Sequence, residues 1–176
     1  AVTNDIFLGQ VTGTTSTITQ SGGAISCSML YAGSMEMRQS GAGNYTMTGG
    51  TLNVGILSLG NQGTATFTQS GGVVNNPVGI WLGDAKMENS NGGLPATPGG
   101  PGSATYTLSN NAVYNGAVND ISYLAPWGGY GVLTLEDNAI FTNHNMSVDL
   151  ASSTVAAATC FINVHDNAQM TLTGTL

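Results

Sequence analysis

Charge is nearly missing from this 176-residue chain: 6% of its residues are charged, and the basic ones are only Arg38 and Lys86 against nine acidic side chains, a net charge of −7. Two cations cannot neutralise a run of phosphates, which excludes nucleic acid, nor form the polybasic patch that holds a protein on an anionic membrane. No apolar run approaches the roughly 20 residues of a spanning helix, so membrane insertion is not expected. Glutamate is confined to Glu36, Glu88 and Glu136, which leaves little for solvated helix faces, and little or no helix is expected. Cysteine is limited to Cys27 and Cys160.

What is abundant is glycine, threonine, serine and asparagine, together with 41% hydrophobic residues, and the periodic placement of those hydrophobics argues against disorder. The stretch 63–83, GTATFTQSGGVVNNPVGIWLG, contains the whole pattern. Residues 64–70 alternate polar and apolar as a half-buried strand does, Gly71-Gly72 allows a turn, Val73-Val74 begins a second short strand, Asn75-Asn76-Pro77 turns again, and Ile80-Trp81-Leu82 is a third strand closed by Gly83. Three short strands and three corners in about 21 residues read as one coil of a β-solenoid.

Aligned on the two-residue corner, the chain holds six copies, at Gly22-Gly23, Gly49-Gly50, Gly71-Gly72, Asn110-Asn111, Asp137-Asn138 and Asp166-Asn167. Asn and Asp tolerate the left-handed conformation that glycine supplies. Four residues before the corners stand Ile18, Tyr45, Phe67, Tyr106, Leu133 and Ile162, and two before stand Gln20, Met47, Gln69, Leu108, Leu135 and Val164. The period of two points both columns inward and the row Thr19, Thr46, Thr68, Thr107, Thr134, Asn163 outward. Past the corner, Ile25, Leu52, Val74, Val113, Ile140 and Gln169 are expected to form another inward column. The third strand recurs at 6–9, 57–60 and 80–83 and more loosely at 30–33, 121–124 and 148–150. No copy can cover its own columns, so the copies must stack. The organisation expected is one all-β domain over 1–176, about six coils of three short strands, with a Gly/Pro-rich loop inserted at about 84–102.

The pattern Gly-x-x-Thr-aromatic-Thr-x-Ser-Gly-Gly-x-hydrophobic followed by hydrophobic-x-Leu-Gly, best seen at 64–83 and 44–60, resembles the repeats of secreted bacterial autotransporter passengers and PEP-CTERM-associated proteins. The resemblance implies a right-handed parallel β-helix on an extracellular bacterial protein, and no particular activity. The opening residues AVTND, without Met or a basic leader, are those expected of a mature secreted chain.

Parallel β-helices also include polysaccharide lyases and hydrolases, which need a base and converging carboxylates. Arg38, in a non-repeat segment before the second coil, and Lys86, in the loop, do not coincide with a carboxylate cluster on the same face, and no nucleophile or phosphate-loop motif is present, so no enzyme and no cofactor is expected. The one acidic grouping is Glu136, Asp137 and Asp166; the last two share a corner phase about 4.8 Å apart and form a weak candidate for a cation, against the ordinary role of holding a turn. Asn111, Asn138 and Asn167 one step on read as a structural ladder. His144 and His165 differ in phase. Cys27 and Cys160 are five steps apart, roughly 24 Å along the stack, too far for a disulfide. The TxT pairs at 17/19, 66/68 and 105/107 are similar to those of ice-binding solenoids, but Asn44, Val132 and Phe161 interrupt them, and ordinary strand preference explains threonine here.

The chain starts in a third strand (Ile6, Phe7, Leu8) and stops just past a second (Met170, Leu172, Leu176), so each end is expected to supply what the other lacks. The function expected is an extracellular structural subunit joined head to tail into a surface fibre or matrix filament. The alternative is a carbohydrate-binding, adhesive passenger fragment, with Trp127, Tyr130 and Tyr123 as binding candidates and Trp81 and Tyr114 completing an exposed aromatic row.

Overall fold

Alternation of small polar with apolar residues does what it should in residues 64–69: the side chains run exposed, buried, exposed, buried along a single strand. The computed structural model describes residues 4–33, 41–83, 102–116, 121–126, 129–148 and 158–174. Every regular element among them is a β-strand. In chain order these are β1 (Asp5–Leu8), β2 (Thr15–Gln20), β3 (Ala24–Ala32), β4 (Ala42–Met47), β5 (Thr51–Leu59), β6 (Thr64–Gln69), β7 (Val73–Asn75) and β8 (Gly79–Leu82). They continue as β9 (Ser103–Leu108), β10 (Val113–Asn115), β11 (Ile121–Leu124), β12 (Tyr130–Leu135), β13 (Ile140–Asn143), β14 (Asn145–Val148), β15 (Thr159–Val164) and β16 (Gln169–Leu172). The loop expected at 84–102 lies outside the described residues except for Gly102, as do Arg38 and Lys86.

Two parallel sheets result. One holds the first strand of each copy, in the order β15-β12-β9-β6-β4-β2. The other runs β14-β11-β8-β5-β7-β10-β13-β16, with β3 beside β5 and β1 beside β3. The second and third strands expected of each copy therefore share a sheet. They are continuous in β3 and β5 and separate from β7 onward. At 76–79 the break has a visible cause: Pro77 offers no donor, and the buried Asn76 side chain replaces the lost ladder, donating to Gly79 O at 2.7 Å and accepting from Gly79 N at 2.8 Å.

The register stacks equivalent residues. Ile18, Tyr45, Phe67, Tyr106, Leu133 and Ile162 are successive ladder partners, as are Gln20, Met47, Gln69, Leu108, Leu135 and Val164. Tyr45, Phe67, Tyr106 and Leu133 are sealed from solvent. Rings run through this core from Tyr45 to Phe67 to Tyr106 to Tyr114 to Phe141, with centroid separations of 4.8, 4.6, 6.1 and 4.4 Å.

The second inward column differs from expectation in the later copies. Ile25, Leu52 and Val74 are in register as expected, but their partners further on are Tyr114, Phe141 and Met170 rather than Val113, Ile140 and Gln169. Ile140 is 39% exposed and Phe141 is sealed. The corner is the reason. In the glycine corners the second residue is left-handed (Gly23, Gly50, Gly72), whereas in the Asn/Asp corners the first is (Asn110, Asp137, Asp166). The turn then takes in one more residue, Ala112, Ala139 or Ala168, whose N–H closes on the carbonyl three residues back. One added residue reverses which side chains face the core. Tyr114, expected on the surface, is consequently among the most deeply buried residues.

Candidate functional site

The inward columns that are sealed in the middle of the stack come to the surface at its two ends. At one end the outermost strands are β2, β1 and the 24–27 half of β3. At the other they are β14, β15 and β16, each paired on one side only among the described strands. Ile6, Ile18 and Ile25 are half-buried at the first end, and Ile162, Met170 and Leu172 at the second, although their ladder partners Leu30, Tyr45, Leu52, Leu133 and Phe141 are sealed. Phe7, Val148, Phe161 and Val164 are exposed on the same strands. Asp5 is the sole charged residue in these six stretches.

Ile6, Phe7 and Leu8 thus belong to one end and Met170 and Leu172 to the other; Leu176 lies outside the described residues. Phe7 stacks on Tyr31 with centroids 5.5 Å apart, and Leu8 is buried. Of the aromatic candidates, Tyr123 sits on the outer ladder of the larger sheet beside Trp81, centroids 6.2 Å apart. Tyr130 is on the other sheet, 40% exposed and packed edge-on against Phe161. Trp127 lies outside the described residues. Tyr123 and Tyr130 therefore do not share a face. A different aromatic row does share one: Phe7, Tyr31, Trp81 and Tyr123 occupy one ladder position, with Ser58 between Tyr31 and Trp81.

No protein-family model, curated protein or solved structure matches this chain.

The polar side chains hold the stack together rather than converging on a point. Asp137 accepts from the Asn110 N–H at 2.9 Å, and Asp166 accepts from the Asp137 N–H at 3.3 Å, so each carboxylate braces the corner of the copy before it. Among the described residues no group of three or more His, Cys, Asp or Glu side chains is placed to hold a metal ion. His144 bonds Thr173 at 2.9 Å, while His165 is on a separate corner. The Asn167 amide donates to Asn138 at 3.4 Å, within the ladder expected there. A second asparagine ladder, which sequence reading missed, runs on the larger sheet: Asn115 to Asn75 at 3.0 Å and Asn75 to Asn53 at 2.9 Å.

Cys27 and Cys160 stand in different sheets and are not joined by a disulfide. Burial, helped by the Asp5 carboxylate, pushes the Cys27 thiol up to about 11, which keeps it in the thiol form at neutral pH. Burial raises the Tyr45 phenol to about 12, with Cys27 adding to it. Tyr106 is driven well above the ordinary phenol range by burial and then by Tyr114, and Tyr114 by burial, opposed by Ser122 and Asn76.

Proposed function

We propose that the two sheets are the walls of a right-handed parallel β-helix of about six coils, three short strands per coil, and that the chain is a non-enzymatic, extracellular structural subunit associating end to end into a surface fibre or matrix filament. The observation that carries this reading is the pair of ends: among the described residues each leaves strands paired on one side only and half-buried apolar columns, and Asp5 is the one charge in the six end stretches. Edges meant to stay single are usually blocked by lysine, proline or an inward charge. A contact between unlike ends does not close on itself and makes a filament. The polar chemistry agrees, since Gln20, Gln69, Asp137 and Asp166 each bond a neighbouring copy. Negative-stain electron microscopy of the purified chain over a concentration series tests it. Filaments that lengthen with concentration are expected, and monodisperse particles at millimolar concentration overturn it.

A second reading, a carbohydrate-binding or adhesive passenger fragment, is favoured by the outer ladder of Phe7, Tyr31, Trp81 and Tyr123. Aromatic rings spaced along parallel strands offer apolar faces with polar tips, which suits sugar rings. Glycan binding abolished by Trp81→Ala would support it. An ice-binding surface is less favoured, because Ala42, Asn44, Val132 and Phe161 interrupt the outer threonine rows of the smaller sheet.

A further inference from the structure

We propose that the partner at these ends is a second copy of this chain, joined by a parallel, in-register continuation of both sheets: β15 pairs with β2 of the next copy, β16 with its 24–27 segment and β14 with its β1. This inference rests on the end-to-end reading above and specifies its geometry.

Three features argue for it. The strand lengths match one to one, six residues against six, four against four and four against four. The ladders are unbroken from one end to the other, so the same register that places Asn163 beside Thr134 and Thr46 beside Thr19 extends to Asn163 beside Thr19 of the next copy. It also extends to Met170 beside Ile25, Met146 beside Ile6 and Val148 beside Leu8. Every inward position at the junction then meets an inward position. The chemistry matches too: no like charges meet, because Asp5 faces Asn145. Head-to-head docking would set identical strands antiparallel and lose the columns, leaving Met170 and Ile162 without the continuation they have inside the chain.

Disulfide trapping reads the register directly, since strand neighbours about 5 Å apart lie within bridging reach and a two-residue offset puts them about 8 Å apart, beyond it. The 176-residue chain with Cys27→Ala and Cys160→Ala is the background. Asn163→Cys with Thr19→Cys is expected to give a ladder of covalent multimers on oxidation. Phe161→Cys with Thr19→Cys, and Asn163→Cys alone, are expected to stay unlinked. Ser147→Cys with Phe7→Cys reports the same junction from the other sheet and serves if the first pair folds poorly by circular dichroism. Filaments that bridge only through Phe161→Cys with Thr19→Cys, or through Asn163→Cys alone, or through none of the pairs, overturn this junction while leaving end-to-end assembly standing. Particles that never exceed a monomer overturn both.

Discussion

The hydroxyl of Tyr106 donates to Oε1 of Gln69 at 2.6 Å inside the stack, one copy removed in the chain. Tyr45 makes the same bond to Gln20 at 2.7 Å. Each glutamine spends its amide hydrogens on corner carbonyls: Gln69 on Gly72 and Val113, both at 3.1 Å, and Gln20 on Thr51 at 3.1 Å. A polar side chain in an apolar column is thereby satisfied at both its oxygen and its nitrogen, and it ties its own copy to the next one.

Removing one half of that latch leaves the other half buried and unpaired. Gln69→Leu is expected to lower stability by about 1–3 kcal/mol, because it strands the Tyr106 hydroxyl and two carbonyls. Adding Tyr106→Phe should recover part of the loss. A double-mutant cycle by denaturant unfolding checks this, with a coupling of about 0.5–3 kcal/mol expected for groups in direct contact.

Alkaline pH should unfold the protein early. Tyr45, Tyr106, Tyr114 and Cys27 all have folded values raised above their unfolded ones. Above pH 9 to 10 the unfolded chain releases protons that the folded chain retains, so stability falls as pH rises, first through Cys27 and then through the tyrosines. Denaturant midpoints between pH 7 and 11 should be level at first and then drop. Phenolate absorbance should show a group of tyrosines ionising only as the fold is lost.

How far the fold could be read in advance depended on where the period held. The column from Ile18 to Ile162 was legible because each first strand keeps its inward apolar period, even where Asn44, Val132, Phe161 and Asn163 replace threonine on the outward side. The column beyond the corner was legible only as far as Val74. Asn110-Asn111-Ala112 looks like Gly71-Gly72 plus a strand residue, yet it spends its alanine in the turn, and the tripeptides Asp137-Asn138-Ala139 and Asp166-Asn167-Ala168 were the available signal. Gln20 and Gln69 were placed inward by the same alternation, but nothing in their spacing announced a tyrosine partner 25 or 37 residues on. At the ends, the apolar composition was legible, while the matching of strand lengths needed the register.

Backbone conformation and crowding can be separated by two glycines. Gly13 and Gly60 both have positive φ, at 76° and 72°. A methyl group at Gly13 would meet nothing within 4 Å, whereas at Gly60 it would collide with the Ser103 carbonyl. Gly60→Ala should cost more than the roughly 1–3 kcal/mol of a left-handed alanine, and Gly13→Ala only that strain. Thermal melts of the two variants give the comparison.

The corner aspartates should behave as braces. Asp137→Asn keeps an acceptor for the Asn110 N–H and is expected to be nearly neutral, while Asp137→Ala should lose about 0.5–2 kcal/mol, the range seen when a side chain capping a backbone N–H is removed. A chelator should leave the melting temperature of the parent unchanged. A fall on adding chelator would instead assign Asp137 and Asp166 to a cation.

The single alanine that enlarges the later corners also decides which parts of the chain are exchangeable. Units bounded by glycine pairs can be duplicated or deleted among themselves with every inward side chain still inward, and so can units bounded by Asp-Asn-Ala. A crossover inside a corner that joins the strand before Asp-Asn to the strand after a glycine pair, and so drops the alanine, shifts the frame by one residue and turns the following strand inside out. Growth or loss of whole units by recombination is therefore silent wherever each unit keeps its own corner, as Val74 beside Tyr114 shows where the two kinds meet, and only a cut within a corner is not.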